Sequence, residues 1–305
     1  MGKTKKKDSR RGASESGIHF WSEFLDCKRK FYLHHGLKLR PAYQSYSLLF
    51  GAAFHDARAA FYRTGADQSH KVATDRGIKE GLDSLKMRRT EFETDELYTQ
   101  AVQRMPVMFG RWADELGQRD RRDLRVIAVE QELSAKLPNG YRVTGRLDTL
   151  VEDGTGMVYI LEAKTSSFSV ELTVRNVEMG DQVTCYHWLV RKNYPKLRLA
   201  GTVPDVVYWN GRSDNPANIQ CFRGDLITRS HKDLEDFELY AVDTLEDLSR
   251  RMRAVKEKKV PLMAAFGRQT NHCFSYHRKC EFWSICRTNV THQSAAAAGF
   301  VRDAP

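Results

Sequence analysis

The sequence predicts an α/β fold with a central mixed β-sheet flanked by helices. Three observations carry that expectation. Residues 22–117 read as helices. Residues 124–164 hold three stretches of alternating, β-branched character split by turn residues. A helix, further strands and a long charged helix follow.

In chain order, Ser22–Leu39 reads as a helix with Ser22 as N-cap. Phe24, Leu25, Phe31, Tyr32 and Leu33 supply its apolar contacts, and Pro41 ends it. Ser47–Tyr62 is a second, alanine-rich helix. Gly77 to about Gly117 is expected as two helices, because Pro106 removes a donor and clashes with the preceding turn. Leu124–Leu137, Tyr141–Val151 and Met157–Lys164 read as strands. Pro138-Asn139-Gly140 and Asp153-Gly154-Thr155-Gly156 join them, so an antiparallel meander is expected. Val177–Val190 reads as a helix, Val203–Asn210 and Ile219–Arg223 as strands, and Asp233–Lys259 as a long charged helix. The expected organisation is a disordered basic tail over residues 1–16, a single domain over 17–290 and a flexible tail over 291–305.

The chain of 305 residues is 41% hydrophobic and 29% charged, as a globular protein is. No apolar run approaches the ~20 residues that span a bilayer. The basic N-terminus has no apolar segment behind it, so a cytoplasmic protein without membrane partners is expected. The net charge is +10, and half of it sits on Lys3, Lys5, Lys6, Lys7, Arg10 and Arg11 against Asp8. Such an excess suits a polyanion such as DNA.

The chemistry concentrates at Gly145-Arg146-Leu147-Asp148 and Ile160-Leu161-Glu162-Ala163-Lys164. Glu162 and Lys164 are two apart on a strand and leave the same face. Asp148 lies near the end of the preceding strand, so the turn brings all three together. Two carboxylates suit a hard cation, Mg²⁺ or Mn²⁺, with the Ala163 carbonyl as a further oxygen ligand. The lysine can orient a water or stabilise charge on a phosphate. Gly51 and His55 precede this pair on a helix. Gln182 and Tyr186 follow it, one helical turn apart on one face.

In that order, Gly51/His55, Gly145/Asp148, Glu162/Lys164 and Gln182/Tyr186 resemble the PD-(D/E)XK nuclease superfamily, in its RecB-like branch. The resemblance runs from about Ser22 to Arg287 and implies a restriction-endonuclease-like core. It implies that His55, Asp148 and Glu162 bind metal, Lys164 assists the water, and Gln182 and Tyr186 contact DNA. Glu130 lies on a strand where relatives often keep an acid, and a structural or supporting carboxylate is an equal reading for it.

Six cysteines occur: Cys27, Cys185, Cys221, Cys273, Cys280 and Cys286. Three near the C-terminus, spaced C-x6-C-x5-C, point to metal, and Cys27 is the candidate fourth ligand. One cysteine before the core and three after it resembles the iron–sulfur nucleases of this superfamily. That subgroup includes AddB-type, exonuclease V-type, CRISPR-adaptation and phage enzymes. It implies a structural [4Fe–4S] cluster joining the N- and C-terminal segments. The first gap is longer than the commonest C-x2-C-x5-C, and Zn²⁺ at the same four cysteines is the alternative. Cys185 and Cys221 are expected as small core residues.

The expected function is a Mg²⁺- or Mn²⁺-dependent deoxyribonuclease. The resemblance implies an exonuclease on single-stranded or end-processed DNA in repair, recombination or phage DNA metabolism. The alternative is a DNA-end-binding scaffold subunit of a recombination or CRISPR-adaptation complex. An RNA-binding protein fits less well, because no RNA-binding aromatic motif occurs. No phosphate-binding G-x-x-x-x-G-K-[ST] motif occurs either, so processive action on duplex DNA would need a helicase partner or an enclosing ring. The partners expected are DNA and a helicase or a recombination or annealing protein.

Overall fold

The computed structural model describes residues 17–209, 218–275, 278–287 and 292–302. The expected disordered tail over 1–16 lies outside them. The chain divides into two compact units, one of residues 1–40, 134–144 and 238–305, the other of residues 41–133 and 145–237.

The second unit holds a mixed five-stranded sheet. Its strands are β2 (Leu124–Lys136), β3 (Arg142–Asp153), β4 (Val158–Ser166), β5 (Leu199–Trp209) and β6 (Ile219–Arg223), in that spatial order. Residues 134–136 and 142–144, at the β2–β3 turn, belong to the first unit. β3 and β4 are antiparallel, β4 and β5 parallel, and β5 and β6 antiparallel. The meander forms where its turn residues predicted. Gly156 takes a positive φ of 79°, while Asp153 Oδ1 accepts from the Thr155 and Met157 N–H groups. Parallel β4 and β5 need a crossover, which α7 (Val170–Met179) and α8 (Asp181–Asn193) provide.

Helices α3 (Tyr46–Tyr62), α4 (His70–Met87) and α5 (Asp95–Trp112) pack together and against the sheet, and the short α6 (Gln118–Asp123) leads into β2. Phe54, Phe61, Phe109 and Trp112 fill this core with Leu161, Val207 and Ile219 from the strands. Ser45, Ser69 and Thr94 each accept the backbone N–H three residues on and so start the three helices. The interruption expected at Pro106 falls instead at residues 88–94, where Thr94 caps α5, and Pro106 sits inside α5. Gly77 and Gly81 let α4 approach α5 closely. A Cβ at Gly77 would meet the Phe109 ring at 2.3 Å, and one at Gly81 the Met105 sulfur at 2.8 Å.

Val177–Val190 was expected as one helix, but two meet at Gly180. There the backbone is extended, and a side chain would strike the Asn176 carbonyl at 2.8 Å. This break puts Gln182 in the first turn of α8.

The first unit begins with α1 (Ile18–Asp26), α2 (Lys28–Phe31), a π turn (Tyr32–Gly36) and β1 (Leu39–Pro41). The single helix expected over Ser22–Leu39 is therefore corrected. Gly17 stands at the N-cap of α1, and the Ser22 hydroxyl donates to the His19 carbonyl inside the helix. The chain breaks at Cys27, which is extended. The Gln269 side chain satisfies the gap, accepting from Lys28 N–H at 2.8 Å and donating to the Leu25 carbonyl at 3.0 Å. Within the segment expected as a flexible C-terminal tail, a helix spans His292–Ala297, and the strand Phe300–Arg302 pairs with β1. Phe300 stacks on Phe282 at 5.3 Å in a small core with Leu33, Leu39 and Ile285. No helix among the described residues is long and apolar enough to cross a membrane.

Candidate active site

The candidate site lies within the second unit, on α3, β2, β3, β4 and α8. Alternation along β4 brings Glu162 and Lys164 to one face, and they form an ion pair. The β3–β4 pairing puts Asp148 beside them, with its Oδ2 accepting the Ala163 N–H at 2.8 Å. Asp148 Oδ1 is 3.2 Å from His55 Nδ1 on α3. The structure thus brings His55, Asp148, Glu162 and Lys164 together.

Glu130 belongs with them. Its carboxylate, His55 and Asp148 offer ligand atoms that all lie within 4.8 Å of one another. Glu130 adopts a left-handed φ of 51° within β2, an uncommon conformation for a non-glycine residue. From the sequence alone, a structural or supporting carboxylate is an equal reading for it. Periodicity along β2 gives no sign of a locally turned backbone, and the acid in Val129-Glu130-Gln131-Glu132 was the only available signal.

The electrostatics follow from crowding three acids in a buried place. Burial pushes the Glu130 carboxyl up to about 7, and the Asp148 charge adds to this. Burial and Asp148 also raise Glu162. Burial opposes ionisation of Asp148 too, but the charge and hydrogen bond of His55 hold it down at about 2. In turn burial disfavours charge on His55, and Asp148 outweighs it, raising the imidazole above its ordinary value. Glu162 is 1% exposed, and its Oε2 finds no hydrogen-bond partner among the described residues. A buried carboxylate oxygen without a donor is costly, and a cation relieves that cost. The donor set of three carboxylates and an imidazole fits a divalent metal of the Mg²⁺ or Mn²⁺ kind.

Gln182 and Tyr186 meet the lysine from α8. The Gln182 amide donates to the Tyr186 hydroxyl at 2.7 Å, and its carbonyl accepts from Lys164 at 3.5 Å. Tyr186 is 4% exposed, so its ring is core and its hydroxyl is held by Gln182. That ring lies over Gly145, where a Cβ would be 3.0 Å from it and 2.7 Å from Leu189. Gly145→Ala should therefore cost about 1–3 kcal/mol through overpacking. It should also lower the cleavage rate by moving Tyr186 off Gln182. Thermal unfolding and a cleavage assay together check this, and an unchanged variant would refute it.

Beneath the site runs a buried ionic network that the sequence reading missed. Arg58 donates to Asp205 at 2.9 Å. Arg223 bonds both Asp205 and Asp120, and the Tyr62 hydroxyl donates to Asp120 at 2.6 Å. Arg58 is one helical turn from His55, so the network fixes the rotation of the face that carries the histidine. An arginine in an alanine-rich helix and an aspartate inside the apolar run Val203–Trp209 were the available signals.

The four candidate cluster cysteines fall in the first unit. Cys27, Cys273, Cys280 and Cys286 all line one cavity of about 770 Å³, beside Lys30, Arg268 and Arg287. They do not converge at ligand distance. The compact three-ligand groups among the described residues are His55/Glu130/Asp148 and Glu23/His34/His35. Cys185 is fully buried and Cys221 partly so.

The chain belongs to the PD-(D/E)XK nuclease superfamily, whose model matches residues 21–287. No curated protein matches the sequence. Among solved structures, SSO0001 is similar at a TM-score of 0.35 and 15% identity, over 90% of this chain and 96% of that one. The alkaline exonuclease LHK-Exo from Laribacter hongkongensis is similar at 0.29 and 15%, over 69% of this chain and 96% of that one. LHK-Exo in complex with dAMP gives 0.27 and 16%, over 70% and 97%. These similarities are distant, and the family assignment rests on the sequence match.

Proposed function

We propose that this chain is a divalent-metal-dependent deoxyribonuclease. Within that, we propose an exonuclease on single-stranded or end-processed DNA, serving repair, recombination or phage DNA metabolism. The observation that carries the nuclease reading is the convergence of His55, Glu130 and Asp148 beside Glu162, whose buried Oε2 has no hydrogen-bond partner among the described residues. The exonuclease mode and the single-strand preference rest on the family resemblance alone.

His55, Asp148 and Glu162 would hold the cation, with Glu130 and the Ala163 carbonyl as further oxygen donors. When bound, a Mg²⁺ or Mn²⁺ ion supplies Lewis acidity toward the phosphate and its attacking water. The chain supplies the rest. The Ala163 N–H fixes the Asp148 carboxylate, leaving its other oxygen toward His55. Lys164, oriented by Glu162 and Gln182, offers its ammonium to the water and to charge growing on the phosphate oxygens. Tyr186 steadies Gln182, and Gln182, half-buried at the start of α8, is the member of that pair suited to reach DNA.

For Cys27, Cys273, Cys280 and Cys286 we propose a structural [4Fe–4S] cluster. The support is their shared cavity and the resemblance. No three of these thiols lie within 4.8 Å of one another, whereas thiolates on one Zn²⁺ at ~2.3 Å would sit about 3.8 Å apart.

The test incubates purified full-length protein with end-labelled single- and double-stranded DNA in Mg²⁺, Mn²⁺ or EDTA. Cleavage that needs the cation is expected. Tight binding with no cleavage under any cation would overturn the nuclease reading in favour of an end-binding scaffold.

A further inference from the structure

We propose that Glu23, His34 and His35 form a second cation site, for a borderline transition metal of the Zn²⁺ class. It shares no residue with the candidate active site or with the four cysteines. Glu23 Oε2 lies 3.0 Å from His34 Nδ1 and 2.8 Å from His35 Nε2. All three ligand atoms fall within 4.8 Å of one another. A tetrahedral ion with N and O ligands at ~2.0–2.1 Å spaces them about 3.3 Å apart. The Glu23–His34 and Glu23–His35 spacings of 3.0 and 2.8 Å therefore need to open by only about 0.3–0.5 Å to admit one.

The local backbone makes this convergence unusual. Neighbouring residues on an α-helix point about 100° apart and do not face each other. Here the chain runs through a π turn over Tyr32–Gly36, a geometry that recurs at functional sites. The His34 and His35 rings lie 4.3 Å apart and aim at one carboxylate oxygen. Each element of the site is held in advance. The His35 ring sits between Phe20 at 4.6 Å and Phe31 at 4.8 Å. Lys30 takes the other oxygen of Glu23 at 3.2 Å and is itself anchored to Glu281 at 2.9 Å, which leaves Oε2 for the metal. Ligands fixed by a second layer of partners in this way are typical of metal sites. The side chains of Glu23, His34 and His35 are 14%, 35% and 12% exposed, so solvent can reach the remaining coordination position. Two imidazoles and a carboxylate select Zn²⁺, Co²⁺ or Ni²⁺ over Mg²⁺.

The test uses the full-length Asp148→Asn protein, so that uptake at the candidate active site is suppressed, and Co²⁺ as probe. Metal analysis after dialysis and visible spectra are read together. Thiolate-to-Co²⁺ charge transfer in the near ultraviolet marks any ion on the cysteines, and d–d bands without it mark the histidine site. One equivalent of the second kind is expected. His35→Gln or Glu23→Gln, added to that protein, should abolish it while leaving any charge-transfer band unchanged. Should His35→Gln fail to fold by circular dichroism, the more exposed His34→Gln replaces it. Absence of that equivalent in the parent protein, or its survival in a folded His34→Gln or His35→Gln variant, would overturn the proposal.

Discussion

Asp148→Asn should lower Mg²⁺-dependent DNA cleavage by about 1,000-fold or more and leave the protein folded. The substitution keeps the shape of the side chain and the oxygen that accepts the Ala163 N–H. It removes the charge that raises His55 above its ordinary value and that faces Glu130 and Glu162. Losing one ligand of a catalytic cation forfeits several kcal/mol of charge stabilisation at the phosphate, and each 1.36 kcal/mol is tenfold in rate. The control reading is thermal. Mg²⁺ or Mn²⁺ should raise the melting temperature of the wild type and leave that of Asp148→Asn nearly unmoved. Cleavage within tenfold of wild type would remove Asp148 from the chemistry.

Glu130→Gln should stabilise the metal-free protein at pH 8 and lose that advantage by about pH 4.5. The sign follows from where the proton is held. Burial lifts the Glu130 carboxyl from an ordinary value of 4.5 to about 7 in the folded chain. Between those values the folded state keeps a proton that the unfolded state has released. Stability therefore falls as pH rises through that window, and the full cost is present above pH 7. A group displaced this far costs about 3 kcal/mol at alkaline pH, on the order of 5 °C in melting temperature. Glutamine cannot ionise and escapes that cost. His55, also raised, leaves a slope of the same sign in both proteins, so the difference between them is the measurement. Melting curves in EDTA from pH 4.5 to 8 provide it, and parallel curves would sink the argument. In Mg²⁺ the ordering should narrow, because a cation offsets the carboxylate charge that glutamine lacks.

The sheet and the acid-x-lysine pair were legible in the sequence because they rest on local regularities. A two-residue period puts Glu162 and Lys164 on one face, and turn chemistry at Asp153–Gly156 brings Asp148 back to them. His55 was legible as one member of an ordered set of motifs. Other features depend on partners far away in the chain. Gln269 fills the break at Cys27, which a helical pattern running from Ser22 conceals. Thr94 decides where α5 starts, which overrides the expectation drawn from Pro106. Glu130 reaches its neighbours through a backbone conformation that composition does not encode. The cysteine spacing pointed to metal, and the structure adds that the four line one cavity without closing on a point.

The network of Arg58, Asp205, Arg223, Asp120 and Tyr62 constrains how this sequence can drift. Removing one member strands a buried charge, a loss of about 3–5 kcal/mol. Replacing the whole set with apolar groups of matched size can be neutral. Single steps between those two states pass through proteins too unstable to persist. A selection that randomises these five positions should therefore recover the full ionic set or a wholly apolar one, with few mixtures, and the epistasis should extend to whatever residue occupies position 55.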